Sequence, residues 1–190
     1  MAVEAVIYDF FGVLCLGSRS YIIARCDEDK RGVLHELFRQ ADYGYITAEE
    51  FSRQGAHLLR QTVEEFNALM AKYYVRDDAM LESIRKVRKT HKTALLSNAN
   101  DAVIWELFTN DELDELFDEV VVSSSVGMVK PNPDFFVFAA TRLELLPEEC
   151  IMIDDMESNI KGAVDAGMQG IVFWDQRQYE QELQKLGVNA

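Results

Sequence analysis

The stretch Val6-Ile-Tyr-Asp-Phe-Phe-Gly-Val-Leu14 decides the fold, because an apolar run ends there at a carboxylate that is soon followed by glycine. The run begins at Val3 and extends to Tyr8, and its valine and isoleucine content predicts a buried strand. Glu4 lies inside the run and no basic residue precedes it. We therefore interpret the N-terminus as a first strand rather than a signal peptide.

Further short apolar runs recur along the chain and favour the same interpretation. They are Thr93–Leu96, Val120–Val122, Ile151–Ile153 and Ile171–Phe173. Helical patterns separate the later runs, at Pro133–Leu143 after an Asn132 N-cap, from about Ser158 to Ala166 before Gly167, and over 178–187. Non-alternating strands that alternate with helices indicate an α/β protein: a doubly wound, Rossmann-like parallel sheet of about five strands.

The segment between the first and second runs is too long for a simple crossover and predicts a separate helical unit. Thr47-Ala-Glu-Glu50 and Thr62-Val-Glu-Glu65 both match the capping box that begins helices. Apolar residues recur there at helical spacing, at Leu34, Leu37 and Phe38 and at Phe66, Leu69, Met70 and Tyr73. We expect an α/β core domain of residues 1–15 and 79–190, with residues 16–78 inserted as a small α-helical cap.

Composition excludes several classes of protein. The 190 residues hold 33 acidic and 19 basic side chains, a net charge of −14 that makes nucleic acid a poor partner. No apolar stretch is long enough to span a membrane. The three cysteines form no CxxC pair, so we expect neither a disulfide framework nor a zinc site, and we expect a cytoplasmic location. The oligomeric state is not predicted by the sequence.

Polar side chains follow the predicted strands at the points where they end. They are Asp9, Ser97 with Asn98, Lys130 in the loop after Ser125, and Asp154 with Asp155. Ligands of open parallel sheets bind outside the carboxyl ends of the strands, so we expect these side chains to converge. Clustered carboxylates repel unless a cation lies among them, and oxygen ligands suit Mg²⁺. Lys130 could offset an anionic substrate, and Asp9 could attack phosphorus to form an acyl phosphate.

These residues resemble the motifs of the haloacid dehalogenase superfamily. Val6–Leu14 is similar to its first motif, with Asp9 as nucleophile, and Leu95-Leu-Ser-Asn98 is similar to the second, with Ser97 holding the transferred group. Val126–Pro133 resembles the third motif, with Lys130, and Ile151-Met-Ile-Asp-Asp155 resembles the fourth. The resemblance implies a Mg²⁺ ion held by Asp9, the Phe11 carbonyl and Asp155, with Asp154 acting through water. It also implies that Ser97, Asn98 and Lys130 bind a small phosphorylated metabolite.

One position departs from the superfamily pattern. Its phosphatases usually carry a second aspartate two residues after the nucleophile, as general acid and base, where this chain has Phe11. Three hypotheses therefore stay open. The chain is a Mg²⁺-dependent phosphatase acting on a small phosphoester such as a sugar phosphate, or a near-inactive binder of a phosphorylated ligand or protein. The third is a metal-independent haloacid dehalogenase, in which Arg19 or Arg25 would hold the substrate carboxylate.

Overall fold

A five-stranded parallel sheet forms the centre of the protein, whose computed structural model describes residues 2–190, with the exception of the side chain at position 101. The strands are β1 (Ala5–Tyr8), β2 (Lys92–Ser97), β3 (Glu119–Val122), β4 (Cys150–Asp154) and β5 (Gln169–Val172). They lie in the order β3-β2-β1-β4-β5. The chain therefore adds β2 and β3 on one side of β1 and then β4 and β5 on the other side. The doubly wound parallel sheet predicted from the sequence is therefore confirmed, with each predicted strand present.

Helices flank the sheet and fill the long segment after β1. They are α1 (Arg19–Arg25), α2 (Arg31–Asp42), α3 (Ala48–Leu59), α4 (Val63–Ala71), α5 (Asp78–Val87), α6 (Asp101–Leu107), α7 (Asn110–Leu116), α8 (Ser123–Val126), α9 (Pro133–Arg142), α10 (Glu157–Asp165) and α11 (Gln176–Lys185). Two short 3-10 turns, Glu28–Lys30 and Pro147–Glu149, complete the described elements. No helix within residues 2–190 combines the length and apolar character needed to cross a bilayer.

Both faces of the sheet are covered, which explains why its strands lack alternation. Tyr8 and Ile153 pack on one face against helices that include α5 and α11. Ile7 and Met152 face the other side, where Phe136 of α9 packs against them. Because each strand residue meets a hydrophobic layer whichever way it points, apolar residues occupy consecutive positions.

The segment after β1 has a hydrophobic cluster of its own. Ile22, Leu34, Phe38, Phe51 and Phe66 pack together there, drawn from α1, α2, α3 and α4. Both predicted N-caps are formed. The Thr47 hydroxyl accepts from the Glu50 amide, and at Thr62 the full reciprocal capping box is present.

The two ends of this helical insert are tied together. The Leu16 amide donates to the Val75 carbonyl (2.9 Å), and the Asp77 amide donates to the Leu14 carbonyl (2.8 Å). The insert therefore leaves and re-enters the core at one place, which supports the expected boundaries after residues 15 and 78. The assignment of 16–78 as a cap domain stays a prediction.

Candidate active site

The carboxyl ends of the central strands bring the predicted side chains to one edge of the sheet. In the β1 register Tyr8 is opposite Leu95 on one side and Ile153 on the other. Asp9 follows β1 directly, and its amide donates to the Ile153 carbonyl (2.8 Å). Asp9 therefore lies at the topological switch point of the sheet, beside the ends of β2 and β4. Ligands of this fold are expected to bind there.

Lys130 connects two of the carboxylates. Its Nζ lies 2.7 Å from Asp9 Oδ1 and 2.6 Å from Asp154 Oδ2, and its side chain is 1% exposed. Asn98 fixes the backbone at this lysine, because its Nδ2 donates to the Lys130 carbonyl (2.9 Å) and its Oδ1 accepts from the Lys130 amide (2.8 Å). Asn98 also borders the cavity described below, and direct contact with substrate stays a prediction for it.

Asp154 and Asp155 have different surroundings although they are neighbours in the chain. Asp154 is fully buried, and its carboxylate accepts from Lys130, from Asn159 Nδ2 (2.9 and 3.0 Å) and from the Met156 amide (2.9 Å). Asp155 is exposed and borders the cavity. These contacts support Asp155 as a direct metal ligand, which stays a prediction. The predicted role of Asp154, acting on the metal through water, also stays a prediction, and the structure adds a direct contact of Asp154 with Lys130.

At this edge of the sheet, three carboxylates face one buried ammonium group, that of Lys130. Oxygen atoms of Asp9, Asp154 and Asp155 all lie within 4.8 Å of one another. Burial raises the pKa of Asp9 to about 7, against the opposing effect of Lys130, and burial together with the charge of Asp154 raises the pKa of Asp155. Burial alone would lower the pKa of Lys130, but the two carboxylates hold it above its ordinary value. A divalent cation with oxygen ligands fits this excess of negative charge.

The turn after Asp9 depends on glycine. Gly12 has a φ of +87°, and a Cβ atom there would collide with the Asp155 carboxylate. The carbonyl groups of Phe10 and Cys15 accept the backbone hydrogen bonds of this turn. Within residues 2–190, none is made to the carbonyl of Phe11, which is thus available as a ligand. The Phe11 ring stacks on Tyr74, with centroids 5.8 Å apart.

Ser97 ends β2 with a buried hydroxyl group. Its Oγ is buried and, among the described residues, makes no hydrogen bond. A buried hydroxyl without a partner is uncommon, and a bound ligand or water often accounts for one. Ser97 does not border the cavity, however, so its contact with a transferred group stays a prediction.

A cavity of about 810 Å³ lies over this edge of the sheet. Asp9, Lys130 and Asp155 form part of its wall. Much of the remaining wall comes from the helical insert and is apolar, including Ile23, Phe38, Phe51, Val63 and Met70. A cavity of this size matches those that bind small organic molecules in proteins.

The structure adds residues that the sequence prediction missed. Asn159, which follows the fourth motif in the sequence and lies in the first turn of α10, has no role in that prediction, and the structure shows it donating to Asp154. Asp42 borders the cavity from α2 and pairs with Arg19 (2.6 Å). No local pattern identifies Asp42, because its place depends on how the insert meets the core. Arg25 is exposed and donates to the Tyr21 carbonyl, and it does not border the cavity.

Comparison with known proteins finds similarity to hydrolases of one family and to sugar-phosphate phosphatases. Residues 3–167 match the family described as haloacid dehalogenase-like hydrolase. The chain is 30% identical to glyceraldehyde 3-phosphate phosphatase of Pyrococcus furiosus, over 90% of this chain and 80% of that protein. It is 26% identical to D-ribitol-5-phosphate phosphatase of Bacteroides thetaiotaomicron, over 95% and 97%. The crystal structure of a HAD family enzyme from B. thetaiotaomicron in a magnesium complex has the same fold, with a TM-score of 0.82, 21% identity and coverage of 97% and 100%.

Proposed function

This chain belongs to the haloacid dehalogenase-like hydrolase family, and on that premise we propose that it is a Mg²⁺-dependent phosphatase. Its substrate is a small phosphoester, and the relatives named for glyceraldehyde 3-phosphate and ribitol 5-phosphate support a sugar phosphate. The observation that carries the proposal is the cluster of Asp9, Asp154 and Asp155, whose oxygen atoms lie within 4.8 Å of one another. Lys130 pairs with the first two of them.

Asp9 is the nucleophile in this proposal. Its carboxylate oxygen forms a bond to phosphorus as the bond from phosphorus to the leaving oxygen breaks, which gives an aspartyl phosphate and an alkoxide that takes its proton from solvent water. Water then attacks phosphorus, and inorganic phosphate leaves with Asp9 restored. Lys130 holds Asp9 in place through its 2.7 Å contact and offsets the charge of the arriving phosphoryl group. The Ser97 hydroxyl is a further donor for a phosphoryl oxygen.

The metal ligands we propose are Asp9, Asp155 and the Phe11 carbonyl. Mg²⁺ bound there would neutralise the nucleophile and substrate charges, so that two anions can approach each other. Asp154 stays outside the ligand set because Lys130, Asn159 and the Met156 amide already donate to its carboxylate.

Phe11 supplies no proton to the leaving group. A positioned general acid contributes roughly 10²–10⁴-fold to rate, so we expect turnover to depend strongly on how easily the alcohol leaves. A dehalogenase is less well supported, because Arg19, the cavity-lining guanidinium that could hold a haloacid carboxylate, is already paired with Asp42.

We also propose a cytoplasmic location. Cys15, Cys26 and Cys150 are free and buried. Unpaired thiols are typical of proteins that stay in a reducing compartment.

The test is phosphate release from glyceraldehyde 3-phosphate, ribitol 5-phosphate and p-nitrophenyl phosphate, with Mg²⁺ or with EDTA. We expect release with Mg²⁺, loss with EDTA, and loss in Asp9→Asn. Asp165→Asn is the matched control, because Asp165 pairs with Lys161 on the surface, where its side chain is 51% exposed. Metal-independent turnover, or halide release from 2-haloacids without phosphate release, would contradict the proposal. Ligand-dependent thermal stabilisation without turnover would favour a binding protein instead.

A further inference from the structure

Arg19 and Asp42 form an ion pair in the part of the cavity wall contributed by the helical insert. Arg19 begins α1 and Asp42 ends α2, and Arg19 Nη2 lies 2.6 Å from Asp42 Oδ2. Both residues border the same cavity as Asp9 and Lys130. The proposed chemistry at Asp9 does not use this pair, so its place in the wall of the same cavity needs a separate explanation.

The core holds Asp42 in a fixed position. The hydroxyl of Ser123, the first residue of α8, donates to the Asp42 carbonyl at 2.5 Å and accepts from the Ala99 amide at 3.1 Å. Ser123 is fully buried. A residue of the insert is thereby hydrogen-bonded to the loops that follow β2 and β3, so the Asp42 carboxylate keeps a defined position relative to the catalytic edge.

The pair retains unused hydrogen-bonding capacity. Among the described side chains and amides, which leave out the side chain at position 101, only Arg19 donates to the Asp42 carboxylate, and it does so at Oδ2. Asp42 Oδ1 is left to accept from another group. The Arg19 guanidinium has five N–H donors, lies 4.6 Å from the centroid of the Phe38 ring and has a side chain that is 47% exposed. The pair therefore offers an acceptor and several donors at one point of the wall.

The charge of the pair selects the kind of group that binds there. Arg19 and Asp42 neutralise each other, so a second carboxylate or phosphate on the substrate gains little net attraction. A hydroxyl group is a donor and an acceptor, and it can therefore bind Asp42 Oδ1 and an Arg19 N–H together. The surrounding wall is largely apolar. A substrate hydroxyl loses its hydrogen bonds to water when it enters the cavity, and the ion pair can supply hydrogen bonds in their place.

We propose that Arg19 and Asp42 bind a hydroxyl group of the leaving alcohol. The substrate class is then a phosphate monoester of a hydroxylated alcohol that carries no second anionic group. This inference rests on the proposed phosphatase function and specifies the substrate of the same site.

A matched pair of substrates tests the inference. Glycerol phosphate and n-propyl phosphate have the same three-carbon chain and differ only in hydroxyl groups. We expect wild-type kcat/KM to favour glycerol phosphate by at least about 10-fold, the range for a hydrogen bond to a charged group. Asp42→Asn and Arg19→Met should each lower this ratio by about 10-fold, mainly through the KM of glycerol phosphate. A wild-type ratio near one, or a ratio that neither variant changes, overturns the inference.

Controls separate a specific effect from misfolding and from failure of the proposed function. Asp27→Asn removes another aspartate of the insert, one that pairs with Arg60 (2.9 Å) and does not border the cavity, and should leave the ratio unchanged. If Asp42→Asn does not fold, shown by circular dichroism, the Arg19→Met result decides. Phosphate release without hydroxyl preference refutes only this inference, whereas no release from any phosphoester refutes the phosphatase itself.

Discussion

Replacing Lys130 by methionine should destabilise the protein strongly at neutral pH. The lysine is 1% exposed and contacts two carboxylates at 2.7 and 2.6 Å, whose side chains are 9% and 0% exposed. Removing one partner of a buried ion pair costs about 3–5 kcal/mol, because the remaining charge stays buried without compensation. A domain is stable by only about 5–15 kcal/mol, so this loss is a large fraction of the free energy of unfolding.

The loss should also depend on pH. Because the folded-state pKa of Asp9 is raised from 3.8 to about 7, the folded chain binds a proton in this range that the unfolded chain releases. Wild-type stability at this group therefore falls as pH rises from 3.8 to about 7. Lys130 lowers the pKa of Asp9, so its removal raises that pKa further. The loss in Lys130→Met should be largest above pH 7 and smaller near pH 4.

Urea denaturation of the metal-free protein, followed by circular dichroism at several pH values, measures the effect. Lys161→Met is the matched control, because Lys161 pairs with Asp165 on the surface with a side chain 76% exposed. A surface pair of this kind contributes about 0–1 kcal/mol. If Lys130→Met is no more destabilising than Lys161→Met, or if its effect grows as pH falls, the electrostatic account of the site is wrong.

Two further predictions concern local structure. Gly12→Ala should weaken Mg²⁺ binding by about 10- to 100-fold, because the new Cβ atom would displace the Asp155 carboxylate. Gly187 has a similar φ of +84° with open space around it, so Gly187→Ala should leave the Mg²⁺ affinity unchanged. Calorimetric titration measures both affinities, and equal values for the two variants would contradict the prediction. Burial raises the pKa of Cys15 and of Cys150 to about 12, so both thiols should react slowly with Ellman's reagent at pH 8 until urea unfolds the chain; rapid native labelling of either would contradict their buried placement.

The catalytic edge could be predicted from the sequence because parallel strands bring their carboxyl ends together. Asp9 and Asp154 each end an apolar run, so a correct strand assignment suffices to place them side by side. Lys130 lies in a loop, and its two ion pairs depend on the hydrogen bonds between Asn98 and its backbone. The family resemblance implies Asn98 as a substrate ligand, which stays a prediction. The structure adds that its amide group holds the backbone at Lys130.

The cavity wall could not be predicted in the same way. Leu34, Phe38 and Phe66 follow helical periodicity, which identifies amphipathic helices but not what their inner faces meet. Asp42 ends one such helix, and its burial at the cavity follows from the contact between its carbonyl and Ser123, 81 positions away. A contact of that range is set by tertiary packing, and local sequence patterns carry no record of it.

The most direct test of the central claim is to identify the residue that carries the phosphoryl group during turnover. The protein is mixed with Mg²⁺ and an intact phosphoester that serves as its substrate. The reaction is quenched in acid within the first turnover, and the peptides are analysed by mass spectrometry. The account predicts a phosphoryl group on Asp9 that is absent when EDTA replaces Mg²⁺. Phosphate release under the same conditions with another residue modified, or with an equal yield on Asp9 without metal, would contradict it.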